Sequence, residues 1–104
     1  MVLGASRTLA LLRAELRPQC RSLDWGRQLG QLPAWIREAQ QAGQRCVVLA
    51  TGDPLCHGIA AYLASRLCLE SLEIVPNCST IQLACARVGL PWQDLRIVSI
   101  HHQD

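Results

Sequence analysis

Lysine is missing from this chain of 104 residues, and only 17% of the residues carry a charge. All ten positive side chains are arginine, so a P-loop lysine and a Schiff-base lysine are both excluded. The net charge of +2 is small, and no basic stripe carries stacking aromatic residues, so we expect no nucleic-acid binding. No apolar run approaches the roughly 18 residues of a membrane-spanning helix, so we expect no membrane association.

The N-terminal segment also lacks the pattern of a secretory signal, because no basic region precedes an apolar stretch. This favours a cytoplasmic protein. Half of the residues are hydrophobic, which is enough for one small globular domain. We expect Trp25, Trp35 and Trp92 to pack in that domain rather than to stack on a ligand. A charged fraction below the usual ~25% suggests that part of the surface is buried against a partner.

The six cysteines include no CxxC pair, a spacing that is typical of zinc sites and redox pairs. A disulfide scaffold and a set of reduced thiols are the two alternatives, and the scattered positions favour reduced thiols. Cys46, Cys68 and Cys85 stand among aliphatic residues, so we expect them in the core. His101 and His102 have no evident third ligand, so we predict no metal site.

Short apolar runs alternate along the chain with apolar residues spaced by three or four. The runs predict strands at Met1–Leu3, Cys46–Ala50, Leu72–Val75 and Leu95–Ile100. The helical spacing predicts helices at Gly4–Leu16 (with Ser6 as the candidate N-cap), Leu29–Gly43, Leu55–Leu67 and Ser79–Gly89. Residues 17–30 are assigned mostly to a loop. The strand at Cys46–Ala50 is expected to be covered on both faces, because its apolar run is continuous. The alternation predicts an open, mostly parallel α/β sheet with flanking helices.

Ligands of such sheets bind beyond the carboxyl ends of the strands. Two loops of this chain carry polar residues at such positions: the first loop, residues 51–58, and the second loop, residues 76–80. In the first loop, Gly52 allows close backbone approach and Asp53 supplies a carboxylate, although Asp53 could instead cap the following helix. In the second loop, the hydroxyls of Ser79 and Thr80 could bind a polar ligand or simply cap a helix. His57 could be a general base, or a packed or solvent-facing side chain.

These two loops carry a family resemblance. Val47–Leu55, followed by His57–Ile59, resembles the GDPLxxGI segment of the tetrapyrrole methylases, and Ile74–Ala84 resembles their second cofactor loop, VIPxxSSxQxA. Three narrower matches resemble the branch that methylates carbon 5 of the precorrin-6Y ring: Gly4–Leu12, Ala86–Asp94 and Val98–His101. The resemblance covers essentially the whole chain.

The resemblance implies a C-methyltransferase of cobalamin biosynthesis that uses S-adenosyl-L-methionine and acts on a precorrin, a tetrapyrrole. Carried over by motif, Gly52, Asp53 and Cys56 would border the methionine part of the cofactor, and Ser79 and Thr80 would contact it from the second loop. Thr80 stands where the family commonly has serine, which keeps the hydroxyl. Cys56 stands where an aromatic or aliphatic residue is common, so its contact would be through the backbone.

The family has two α/β domains with the cofactor between them, and it opens with a strand and a GxGPG loop. This chain begins after that loop and ends before the second domain, so we expect residues 1–104 to be a partial N-terminal cofactor-binding domain. Expected partners are a second copy, the missing half or a decarboxylating methyltransferase subunit; the alternative is a truncated, non-catalytic domain. No catalytic residue is assigned, although His57 or His101 could accept the proton that leaves the methylated carbon.

Overall fold

Three short parallel strands form the centre of the structure, a computed structural model that describes residues 1–56 and 58–99. Strand β1 (Val2–Gly4) lies between β2 (Ser22–Asp24) and β3 (Val47–Val48). Both pairings are parallel. Helices flank this small sheet, so the predicted α/β class with a parallel sheet is confirmed.

Strand β2 lies within residues 17–30, which were predicted to be mostly loop, and that prediction is wrong. Leu23 is its one apolar residue, and it stands opposite Leu3 of β1 in the register. The N–H of Val2 donates to the carbonyl oxygen of Arg21 at 2.9 Å, which extends the same ladder. A strand of three residues with one apolar side chain carries too little periodicity to be separated from a loop.

As far as the structure describes the chain, the strands predicted later in the sequence do not form. Leu72–Val75 and residues 95–99 have no regular secondary structure, and the final residue of the last predicted strand, Ile100, lies outside the described residues. In the described part of the chain, no backbone hydrogen bond joins Leu72–Val75 to another segment. An apolar run becomes a strand only when a neighbour pairs with it. Strand β3 therefore lies at the sheet edge, and Val47 is 53% exposed rather than covered on both faces.

All four predicted helices form, with shorter bounds than the sequence indicated. They are α1 (Ser6–Leu12), α2 (Leu32–Gln41), α3 (Ile59–Arg66) and α4 (Thr80–Val88). Single 3₁₀ turns occupy Arg13–Glu15, Leu29–Gln31 and Leu69–Ser71. Helix α2 has Pro33 in its first turn, and α4 ends at Gly89 in the left-handed conformation, as the sequence pattern predicted.

The start of α1 differs from its prediction. Ala5 is the N-cap residue and makes no side-chain cap, whereas Ser6 is the first helical residue. The Ser6 hydroxyl donates to the carboxylate of Asp24 at the end of β2. The predicted N-cap role of Ser6 is therefore wrong, because a partner outside the helix uses its hydroxyl.

One buried face of α2 forms the core together with β1 and α3. Leu32 and Ile36 of α2 pack with Leu3 and Leu63, and all four are at most 4% exposed. Burial of each such side chain contributes about 1.5–3 kcal/mol. Trp25 and Trp35 pack partly against this cluster, as predicted. Trp92 is 42% exposed.

All six cysteines are free thiols in the structure, as predicted. Cys85 of α4 is buried and Cys46 packs against the core, so the core prediction is confirmed for these two. Cys68 is exposed, because α3 ends at Arg66 and leaves Cys68 in the following loop. There the Cys68 thiol donates to a carboxylate oxygen of Glu70 at 2.5 Å.

Candidate functional site

An open cleft of about 870 Å³ lies at the carboxyl ends of the three parallel strands. It is lined by the residues that directly follow the strands, Ala5 after β1, Trp25 after β2 and residues 49–51 after β3. Residues of α3 also line it. Pockets for small organic ligands have volumes of roughly 300–1,000 Å³. The cleft therefore has the place and the size that the parallel sheet predicts for a ligand site.

The loop after β3 is shaped by two of the predicted site residues. Gly52 has a φ of 67°, in the left-handed region that favours glycine. The Oδ1 atom of Asp53 accepts a hydrogen bond from the N–H of Leu55 at 2.9 Å, which forms an Asx turn. Helix α3 begins only at Ile59, with Gly58 as a cap residue that offers no side chain, so the alternative in which Asp53 caps this helix is wrong. In the described part of the chain, Oδ2 of Asp53 has no protein donor, so one carboxylate oxygen remains available to a ligand.

Gly58 closes this loop by a backbone contact that no side chain could allow. A Cβ at position 58 would lie 2.6 Å from the carbonyl oxygen of Pro54, a distance at which backbone atoms overlap. The same oxygen accepts the N–H of Ala60 at 3.1 Å, and the carbonyl of Asp53 accepts the N–H of Cys56 at 3.1 Å. The loop is therefore held by main-chain bonds, and half-buried Cys56 lines the cleft.

The second loop ends in a capping box at the start of α4. The hydroxyl of Ser79 accepts the N–H of Gln82 at 3.2 Å, and the Gln82 side-chain oxygen accepts the N–H of Ser79 at 2.8 Å. The capping interpretation of Ser79 is confirmed, and its hydroxyl proton is still free to be donated, since a serine can donate and accept at once. Thr80 is exposed, and its hydroxyl has no protein partner among the residues that the structure describes.

The two loops lie against each other. A Cβ placed on Gly52 would be 3.7 Å from both the carbonyl oxygen of Cys78 and the Cα of Ser79. Of the five residues predicted to bind a cofactor, Cys56 lines the cleft, and the other four belong to the two adjoining loops. The structure thus brings the two loops together beside the cleft, while Gly52, Asp53, Ser79 and Thr80 do not line the cleft. The two candidate proton acceptors, His57 and His101, lie outside the described residues.

Sequence reasoning missed Asp24, a polar residue at the carboxyl end of β2. Its carboxylate accepts hydrogen bonds from the Ser6 hydroxyl and from the N–H of Gly26, the latter at 2.8 Å. The hydrogen bond from Ser6 lowers the pKa of Asp24 below its usual value, and the hydrogen bond from Gly26 adds a smaller effect in the same direction. Asp24 was missed because β2 was assigned to a loop. The spacing Asp24-x-Gly26 is a signal that could have found it, since aspartate commonly bonds the backbone two residues further on.

A second group that the sequence did not indicate lies in the wall of the cleft. Tyr62 and Arg66, one turn apart on α3, line the cleft together with Trp25. The guanidinium carbon of Arg66 lies 4.2 Å from the centroid of the Tyr62 ring. The Tyr62 hydroxyl donates to the carbonyl oxygen of Leu29 at 3.3 Å, which ties α3 to the start of α2. This wall combines flat aromatic surface with one positive charge.

Comparison with known proteins identifies relatives over nearly the whole chain. The family model described as Tetrapyrrole (Corrin/Porphyrin) Methylases matches residues 2–104. No solved structure matches. Among the residues that the structure describes, no helix is both long enough and apolar enough to cross a membrane.

Three curated relatives illustrate the similarity. The cobalt-precorrin-7 C(5)-methyltransferase of Salmonella typhimurium is 37% identical over 76 residues, which cover 73% of this chain and 37% of the relative. The decarboxylating precorrin-6Y C(5,15)-methyltransferase of Mycobacterium tuberculosis is 31% identical over 96% of this chain and 24% of the relative. The probable cobalt-precorrin-7 C(5)-methyltransferase of Methanocaldococcus jannaschii is 26% identical over 100% of this chain and 49% of the relative. The chain thus spans between about a quarter and a half of the length of these relatives.

Proposed function

The chain belongs to the tetrapyrrole (corrin/porphyrin) methylases, and we propose that it forms part of a methyltransferase that uses S-adenosyl-L-methionine to methylate carbon 5 of a precorrin in cobalamin biosynthesis. The relatives from Salmonella typhimurium and Mycobacterium tuberculosis are named for methylation of that carbon. The contact between Gly52 and Ser79 carries the proposal, because it unites the two loops through which the chain resembles the family.

The free polar groups of the two loops fit the groups of this cofactor. Oδ2 of Asp53 suits the ammonium group or a ribose hydroxyl, since a carboxylate pairs with cations and accepts from hydroxyls. The hydroxyls of Ser79 and Thr80 can donate to the cofactor carboxylate. Gly52, without a side chain, leaves its backbone open to a ligand, and Cys56 would border it through the main chain.

The chemistry asks the protein mainly for alignment. When bound, S-adenosyl-L-methionine supplies a methyl group that its sulfonium already activates. The part of this chain is then to hold the two loops rigid, so that the methyl group and the ring carbon meet in line and away from water. Such alignment corresponds to effective molarities of about 10⁵–10⁸ M. The turn closed by Gly58 and the capping box of Ser79 supply that rigidity.

The other residues that the methyltransferase needs are proposed to lie outside residues 1–104. We take residues 1–104 as a partial N-terminal cofactor-binding domain, because the relatives are two to four times longer than the part they share with this chain. A second copy, the missing half or a decarboxylating methyltransferase subunit would then complete the surface that holds the precorrin. A reducing cytoplasm suits the six free thiols.

Calorimetric titration with S-adenosylhomocysteine tests this proposal. The informative variant is Asp53→Asn, which keeps an oxygen for the N–H of Leu55 but removes the charge. We expect the wild-type chain to bind and Asp53→Asn to bind roughly ten- to a hundredfold more weakly. Asp94→Asn, in an exposed turn, is the matched control and should bind like the wild type. A folded wild-type chain that binds nothing would support the non-catalytic alternative.

A further inference from the structure

The wall of the cleft has a charge pattern that the cofactor loops do not explain. Among the described residues that line the cleft, Arg66 is the one that carries a charge, and no carboxylate lines it. The same cleft is lined by aromatic and aliphatic side chains, among them Trp25, Leu29, Ile59 and Tyr62, and by the uncharged polar residues Thr8, Thr51 and Ser99. A positive group beside an apolar surface, with no acid facing it, selects anionic ligands that also have a large apolar part.

Arg66 is held in place rather than left to sample solvent freely. Its guanidinium lies over the Tyr62 ring at 4.2 Å, and its Nη1 atom donates to the hydroxyl oxygen of Ser65. The guanidinium of Arg37 also donates to the backbone oxygen of Arg66 at 2.6 Å. The hydroxyl of Tyr62 is in turn bound to the Leu29 carbonyl. A guanidinium stacked on a fixed ring keeps its N–H groups at its edge, and the Nε and Nη2 groups of Arg66, which have no acceptor among the described residues, can form the paired hydrogen bonds that carboxylates accept.

We propose that Arg66 binds a carboxylate of the tetrapyrrole substrate, and that the ring packs against Tyr62 and against Trp25, which lines the cleft as well as packing on the core. The inference rests on the proposed function, since a precorrin carries several carboxylates, and it assigns Arg66 as a specificity-determining residue. Thr51 and Cys56 line the same cleft and flank the first loop. A ring on this wall would therefore lie next to the proposed cofactor site.

The test uses uroporphyrin, a stable flat tetrapyrrole polycarboxylate, and follows its fluorescence anisotropy as the chain is added. We expect Arg66→Gln to weaken uroporphyrin binding roughly ten- to a hundredfold. Arg66→Lys should recover only part of the affinity, because an ammonium keeps the charge but not the planar fork. Arg13→Gln is the matched control, since Arg13 is exposed on the 3₁₀ turn after α1 and does not line the cleft. Added salt should weaken binding by the wild type more than binding by Arg66→Gln.

Titration of the same variants with S-adenosylhomocysteine separates this inference from the proposed function. If Arg66→Gln loses affinity for uroporphyrin but binds S-adenosylhomocysteine like the wild type, the assignment of Arg66 stands. If Arg66→Gln and Arg66→Lys both bind uroporphyrin as Arg13→Gln does, the inference is overturned while the cofactor site remains. Failure of the wild type to bind S-adenosylhomocysteine would instead overturn the proposed function.

Discussion

Gly52 and Ser79 lie side by side, since a Cβ added to Gly52 would be only 3.7 Å from the Cα of Ser79. One residue belongs to the loop after β3 and the other caps α4. The left-handed backbone at Gly52 turns the first loop toward the second. Polar groups from two distant parts of the chain, the Asp53 carboxylate and the Thr80 hydroxyl, thereby belong to neighbouring loops.

Gly52→Ala should reduce both stability and cofactor affinity. A φ of 67° costs an alanine about 1–2 kcal/mol, because its Cβ approaches the carbonyl oxygen. Gly26→Ala is the control, since Gly26 also has a positive φ, of 50°, but a Cβ there meets nothing within 4 Å. Urea unfolding should show a similar loss for both variants. Titration with S-adenosylhomocysteine should show weaker binding for Gly52→Ala alone, and equal binding by both would separate Gly52 from the cofactor site.

Gly58→Ala should destabilise the chain by about 1–3 kcal/mol, which is the usual cost of forcing extra atoms into a packed place. The added Cβ would meet the Pro54 carbonyl oxygen at 2.6 Å, and backbone cannot give way as a side-chain end can. Gly30→Ala, where a Cβ meets nothing, should be neutral or slightly stabilising. Thermal melting of the two variants makes the comparison. Equal melting temperatures would mean that Gly58 does not lie this close to the Pro54 carbonyl oxygen.

The elements that the sequence predicted are those with local signals. Helix α4 has its capping box and its terminal Gly89, and α2 has the repeat that buries Leu32 and Ile36. Strand pairing is not local. For this reason β2, with Leu23 as its one apolar residue, was missed, and Leu72–Val75 was predicted as a strand although nothing within residues 1–56 and 58–99 pairs with it.

The candidate site likewise has one part that could be predicted from the sequence and another that could not. The place of Gly52 after β3 follows from the rule for parallel sheets. The place of Ser79 beside it follows from the family resemblance alone, because Leu72–Val75 is not a strand. The wall formed by Trp25, Tyr62 and Arg66 could not be predicted, because it depends on how α3 packs beside the end of β2. The bond between Ser6 and Asp24 was hidden for a related reason, since it joins a helix start to an unrecognised strand.

The carboxylate of Asp24 should make stability depend on pH. Its pKa is lower in the folded chain than in the unfolded chain, so its hydrogen bonds stabilise the fold above the unfolded pKa and are lost as the pH falls through the folded pKa. The stability difference between the wild type and Asp24→Asn should therefore shrink as the pH falls below about 4. Ser6→Ala, which removes the first donor, should weaken the same dependence. Urea unfolding at a series of pH values measures this, and a difference that stays constant with pH would contradict it.

The chain on its own should self-associate. Apolar side chains on and around α4 face solvent, with Val75 and Val88 each 75% exposed and Val98 71% exposed. The outer edge of β3 is also unpaired within the described residues, and open edges invite other chains. Sedimentation velocity at several concentrations should show mass increasing with concentration, and Val88→Glu should reduce it. A single monomer peak with cooperative melting would show that these 104 residues close their own core.

If the loop of Gly52 and the loop of Ser79 form one cofactor site, as proposed, S-adenosylhomocysteine should protect both loops at once from hydrogen exchange. We expect the ligand to slow exchange in both loop segments, residues 51–60 and 77–83. No change is expected in residues 37–41 of α2, none of which lines the cleft. Slowed exchange in only one of the two segments, or in neither when the ligand is saturating, would contradict the claim.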